Sequence, residues 1–148
     1  MLNQEEKEKL RTLLDSQHIA VLVTDGEQWP TATLQAFGET DELDLIFIMN
    51  ESADKFQNLM KRPNATVLVD TRDTGDVPTF RVSRAVLNCV AREVKRDSEE
   101  WNSLKAMFLK KNPFEAPFFN APPLRMVHLK SVRVSYAGDG HDTFKAEF

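Results

Sequence analysis

The stretch Asn50–Asp70, NESADKFQNLMKRPNATVLVD, constrains the fold most, because Pro63 stops any helix that begins upstream of it. Proline cannot continue a helix and disfavours helical geometry at the residue before it, here Arg62. Ser52 fits the N-cap of that short helix, since its hydroxyl can accept a bond from an orphan first-turn N–H. Phe56, Leu59 and Met60 recur at helical spacing and give one apolar face. Ala65–Val69 then has the apolar, β-branched content of a buried strand, and Leu43–Met49 has it on the other side. The prediction is a strand, a tight turn holding Ser52 and Lys55 in the first turn of a helix, and a second strand.

A helix N-terminus offers unpaired N–H groups and partial positive charge. A hydroxyl and an ammonium added to it make a place for a phosphate. On spacing alone the plainer reading is that Ser52 only caps and Lys55 only faces water. Glu51 and Asp54 also bring negative charge close by.

The rest of the chain supplies more strands and two more helices. Asn3 can cap a first helix with Glu5 and Glu6 in its opening turn and Leu10, Leu13 and Leu14 on one stripe, ending near Ser16. Ile19–Thr24 is nearly all apolar and is expected to be covered on both faces. Asp25-Gly26 turns the chain, and Pro30 opens a partly alternating strand at Thr31–Phe37. Gly38–Glu42 reads as a polar turn. Beyond Asp70 the polar stretch TRDTGDVPTFRVSR reads as a loop, followed by a long strand at Ala85–Lys95. Ser98 can cap a helix with Trp101, Leu104, Phe108 and Leu109 on one face, ended at Asn112-Pro113. The Pro- and Phe-rich segment NPFEAPFFNAPP can be neither a long helix nor a central strand. Arg125–Tyr136 is a last strand. Six strands in a largely meandering order, with helices at the start, middle and late part, predict a mainly β fold. An antiparallel barrel with peripheral helices would remove the sheet edges.

At 148 residues the chain is expected to be one domain spanning 1–148, long enough to bury a core. A net charge of -4 argues against a nucleic-acid partner. The single cysteine, Cys89, lies in an apolar run and reads as an inert buried thiol. The acidic start MLNQEEKEKL has no apolar core of a signal peptide, and no run approaches membrane-spanning length, so a cytoplasmic location with no membrane contact is expected. No GxGxxG, GxxxxGK[ST] or GxSxG pattern is present. His18, His128 and His141 lack metal-ligand spacing with each other or with Cys89, so no metal site is expected. His18 reads as a helix-end residue, and His128 could face solvent, a barrel interior or a partner.

The order strand, Ser52, Lys55, Asn58-Leu59, Pro63, strand resembles the flavin mononucleotide (FMN) site of the pyridoxamine 5'-phosphate oxidase-like split-barrel family. The resemblance extends over roughly Asp15 to Gly140 and takes in the Pro30-led strand, the Ala85–Val94 strand with its AREV end, and Tyr136-Ala137-Gly138. It implies a six-stranded antiparallel split β-barrel of FMN-binding type. Thr33, Leu34, Gln35 and Ala36 would then edge the isoalloxazine ring, with Met49 and Asn50 beside the ring or ribityl chain. Ser52 and Lys55 would take the phosphate. Arg84 or Arg81 would add a second positive charge, although a solvated loop arginine is an equal reading of Arg84.

Family likeness also implies a homodimer with flavins at the subunit interface and a flavin-dependent oxidoreductase acting on a small-molecule substrate or electron donor, with no catalytic acid or base identifiable. Two departures set the chain apart from true pyridoxamine phosphate oxidases. Thr33 stands where those carry arginine, and Trp-Gln-Gly-Gly is missing, with Arg125-Met126-Val127-His128 in the wrong spacing for their Arg-x-His. Pyridoxamine 5'-phosphate is therefore not the expected substrate. The alternatives are a non-catalytic flavin carrier, a deazaflavin protein, or a haem-binding relative using His128 or His141. Phe114, Phe118 and Phe119 would either close the barrel end or cover a partner's flavin.

Overall fold

The computed structural model describes residues 1–148. Helix α1 (Gln4–Ser16) is capped by Asn3, whose side chain accepts from Glu6 N–H while the Glu6 carboxylate accepts from Asn3 N–H. This reciprocal pair satisfies two orphan donors. Leu10, Leu13 and Leu14 are buried beneath it.

Eight strands follow: β1 (Ile19–Thr24), β2 (Thr31–Ala36), β3 (Gly38–Glu39), β4 (Leu45–Asn50), β5 (Asn64–Asp70), β6 (Arg84–Val94), β7 (Leu124–Ala137) and β8 (Thr143–Glu147). Helix α2 (Asp54–Lys61) lies between β4 and β5, and α3 (Glu99–Lys111) between β6 and β7. The sheet runs β2-β1-β5-β6-β7-β4-β3, all antiparallel. The first half of β7 holds β4, and its second half holds β8. The two ends of this path, β2 and β3, are separated in sequence by Phe37 alone. The sheet therefore curls toward closure into a split barrel. β2 and β4 share no backbone ladder, and their gap is bridged by the Gln35 side chain, which donates to the Ile48 carbonyl at 3.2 Å.

Eight strands replace the expected six. A two-residue pairing such as β3 leaves no periodic trace, and it is set by its partner across the turn, Gly38 opposite Ile46 and Glu39 opposite Leu45. Gly38 passes so close to α3 that a Cβ there would lie 3.2 Å from Met107 Sδ and 3.3 Å from a Phe108 ring carbon. In β8 only Phe144 and Ala146 turn toward the core, Phe144 stacking on Tyr136 at 4.8 Å. The both-face burial expected of Ile19–Thr24 is half right. Ala20, Leu22 and Thr24 are buried, whereas Val21 and Val23 are partly open and Ile19 is exposed.

Two apolar clusters hold the molecule. One fills the barrel with Leu22, Phe37, Phe47, Val67, Leu87 and Leu129. The other joins the outer side of β4 and β7 to α3 and the 3₁₀ segment Pro113–Asn120 through Ile46, Trp101, Phe108, Phe119 and Met126. Ser98 caps α3, as its sequence position predicts, accepting from Trp101 N–H at 3.1 Å. No helix is long and apolar enough to cross a membrane.

Candidate functional site

The turn into α2 differs from expectation by one residue. Its N-cap is Ala53, which offers no side-chain acceptor, and Ser52 lies outside the helix. The cause is Asn50, whose carboxamide oxygen accepts both the Ser52 N–H at 2.8 Å and the Ser52 hydroxyl at 2.7 Å. The helix start is left without a side-chain cap, so its first-turn N–H groups lack a partner of that kind. Phe56 and Leu59 are buried, but Met60, in the last turn of the helix, is exposed.

Lys55 leans from this first turn into the gap between β2 and β4. Its ammonium donates to Gln35 Oε1 at 2.6 Å, and the Thr33 hydroxyl approaches the same oxygen at 3.3 Å. No carboxylate faces it. Burial therefore holds the Lys55 ammonium below its ordinary range, with nothing pulling the other way. Further along α2, Asn58 donates to the Thr24 hydroxyl at 3.0 Å and fixes the helix to β1. The acids that argued against an anion are placed elsewhere. Glu51 is bound to Arg125 at 2.7 Å, and Asp54 is exposed to water. Arg125 is in turn shared with Glu93 at 2.7 Å and carries no free charge.

The structure thus brings together Thr33, Gln35 and Lys55 at the barrel gap, with Asn50 and Ser52 at its edge. The alternation of β2 sends Leu34 to the opposite face, where it is 59% exposed, and Ala36 packs toward α3. Met49 is buried in the barrel interior, so only its backbone is available at the gap. Arg84 is not brought to Lys55. It lies on β6, three strands from β2, roughly 14 Å along the sheet at ordinary strand spacing. Its guanidinium donates to the carbonyls of Thr79 and Val82. Arg81 approaches Asp139 at 3.9 Å.

An uncapped helix start, an exposed hydroxyl and a half-buried ammonium without a counter-charge form a donor set suited to a phosphate monoester. The residues present fit the phosphate end of a flavin mononucleotide. Cys89 is buried, as expected, and that burial pushes its thiol up to about 12. His128 Nε2 donates to the Asp44 carboxylate at 3.1 Å, and its Nδ1 is buried without a partner. His18 and His141 are exposed.

Comparison with protein families gives a match to the pyridoxamine 5'-phosphate oxidase model over residues 6–136. The chain belongs to the pyridoxamine 5'-phosphate oxidase family. Comparison with curated protein sequences returns no match. Among solved structures, a haem-binding protein from Mycobacterium smegmatis superposes with a TM-score of 0.87 at 17% identity, over 99% of this chain. This chain spans 60% of that protein's length. The haem storage protein HutZ from Vibrio cholerae gives 0.76 at 20% identity, over 95% of this chain and 98% of its own. An FAD-binding protein from Mesorhizobium loti gives 0.72 at 13% identity, over 87% of this chain and 90% of its own. At these identities the likeness is one of fold, and the family's split barrel is the architecture found here.

Proposed function

We propose that this member of the pyridoxamine 5'-phosphate oxidase family binds FMN along the β2–β4 gap and serves as a flavin-dependent oxidoreductase of a small-molecule substrate. The observation that carries the proposal is Lys55, a half-buried ammonium with no carboxylate partner beside a helix start with no side-chain cap. Lys55, Ser52 and the first-turn N–H groups would hold the phosphate. Gln35 and Thr33 would meet the polar edge of the ligand, and Asn50 would orient Ser52. Bound flavin supplies hydride and electron transfer, and the chain supplies position and charge.

A homodimer is part of the proposal. Leu34, Val21, Leu68 and Val86 form a continuous row across four neighbouring strands on the outer face, with Leu34 the most open. A second copy would cover that row, and Arg84 would reach a flavin only through such an arrangement.

Haem binding is the second reading, favoured by the haem-binding structures that share the fold. Titration of the purified protein with FMN and, separately, with haemin distinguishes the two. Saturable quenching of FMN fluorescence supports the flavin reading. A Soret shift lost in His141→Ala or His128→Ala, with no FMN uptake, would replace it with the haem reading.

Pyridoxamine 5'-phosphate is expected to be a poor substrate even with FMN bound. A substrate phosphate needs its own cluster of donors, and the nearby arginine, Arg125, is already shared between Glu51 and Glu93. Anaerobic mixing should leave the flavin absorbance unbleached by this compound. Bleaching at a catalytic rate would contradict the expectation.

A further inference from the structure

We infer that the cavity between β4 and the Pro113–Asn120 segment is a ligand pocket for a small apolar cation, with Glu115 as its counter-charge. The inference rests on the cofactor reading above for its place in the function, since the cavity shares Met49 and Asn50 with the proposed flavin site. The cavity measures about 340 Å³, in the range of sites for small ligands.

Its shape follows from the sequence. β4 alternates, so Leu45, Phe47 and Met49 fill the barrel while Ile46 and Ile48 face outward toward α3. Opposite them, Phe119 is anchored edge-on against Trp101 and Phe108, each at 6.0 Å. With Phe119 turned inward, its neighbour Phe118 is left 54% exposed at the cavity rim. Pro113 and Pro117 limit the backbone freedom of the segment. Arg96 donates to the carbonyls of Ala121 at 3.0 Å and Leu124 at 2.7 Å, which fixes the remaining wall. The pocket is therefore built without a ligand.

The charges select the occupant. Arg96 is committed to carbonyls, Arg125 to Glu51 and Glu93, and Lys105 lies over the Phe119 ring at 5.2 Å. Glu115 lines the cavity among Ile48, Phe118, Ala121 and Leu124, and its carboxylate makes no ion pair or side-chain hydrogen bond. Apolar walls with one free carboxylate favour an apolar body bearing an ammonium, which the Phe118 ring face also attracts. They disfavour an anion.

The test is a titration of the full chain, with and without FMN, by benzylamine, benzyl alcohol and benzoate, followed by amide chemical shifts. Benzylamine should move the amides of Ile48, Glu115 and Phe118, and benzoate should not. In Glu115→Gln the benzylamine affinity should fall tenfold or more, while benzyl alcohol is unaffected. Benzoate binding as tightly as benzylamine, no benzylamine binding at millimolar concentration, or an unchanged affinity in Glu115→Gln would overturn the inference. The wild-type amine-to-carboxylate comparison stands even if the variant misfolds. Glu115-dependent binding in a chain that takes no FMN would uphold the pocket and refute the cofactor reading, and the reverse pattern would separate them the other way.

Discussion

Replacing Phe37 with alanine is expected to cost about 3–5 kcal/mol of folding stability, the range for emptying a large aromatic from a core. Phe37 is the single residue between β2 and β3, and its side chain is 0% exposed. Its N–H donates to the His18 carbonyl at 3.3 Å, and its carbonyl accepts from Asn112 Nδ2 at 2.8 Å. The ring lies 6.5 Å from Phe47 and carries the Lys111 ammonium 3.9 Å above its centre. Alanine would keep the backbone bonds but leave a cavity where the sheet turns back on itself. A chain of this size loses roughly 2–4 °C of Tm per kcal/mol, so the melting point should fall by about 10 °C. Phe114, 92% exposed, is the control; its alanine variant should stay within about 0.5 kcal/mol of wild type. A Phe37→Ala loss no larger than that of Phe114→Ala would refute the seam role.

Lys111→Met should cost about 3 kcal/mol, the low end for breaking a buried ion pair, because both heads keep a little solvent. Lys111 Nζ lies 2.5 Å from Glu39 Oε2, with side chains 11% and 14% exposed, and also donates to the Leu14 carbonyl at 2.6 Å. Burial pulls the ammonium down from its usual range and lifts the Glu39 carboxyl above its own, so each head is poorly solvated without the other. Removing only the cation strands a carboxylate between α1, β3 and α3. Lys111→Met with Glu39→Gln removes both charges and should recover most of the loss, which a double-mutant cycle in urea would read as coupling. Additive losses would show that the two groups do not act as a pair.

The long strands and both capped helices were legible because their signals are local. Ile19–Thr24 is rich in β-branched residues and Ala85–Val94 in valine and other apolar residues, and Asn3 and Ser98 each precede a pair of acids in the first helical turn. What was missed turns on a choice of partner that residue type and periodicity do not mark, even where the partner is close in sequence. β3 exists only through β4, and Ser52 loses the cap to Ala53 because Asn50 captures its hydroxyl.

The candidate site was legible in its pieces, Lys55 and Gln35, but not in its assembly. Their hydrogen bond spans 20 residues, and the neutralisation of Glu51 by Arg125 spans 74. Of the three phenylalanines in the proline-rich segment, Phe119 closes against Trp101, whereas Phe114 and Phe118 remain outside. Composition could not assign those separate roles.

Paired titration of wild type and Lys55→Ala with FMN and with riboflavin is the most direct test that the α2 turn holds a phosphate. The two ligands differ only in that group. A charge-assisted hydrogen bond is worth about 1.5–3 kcal/mol, so Lys55→Ala should weaken FMN by tenfold or more and leave riboflavin nearly unchanged. Equal loss for both ligands, or no loss for either, would contradict the phosphate site.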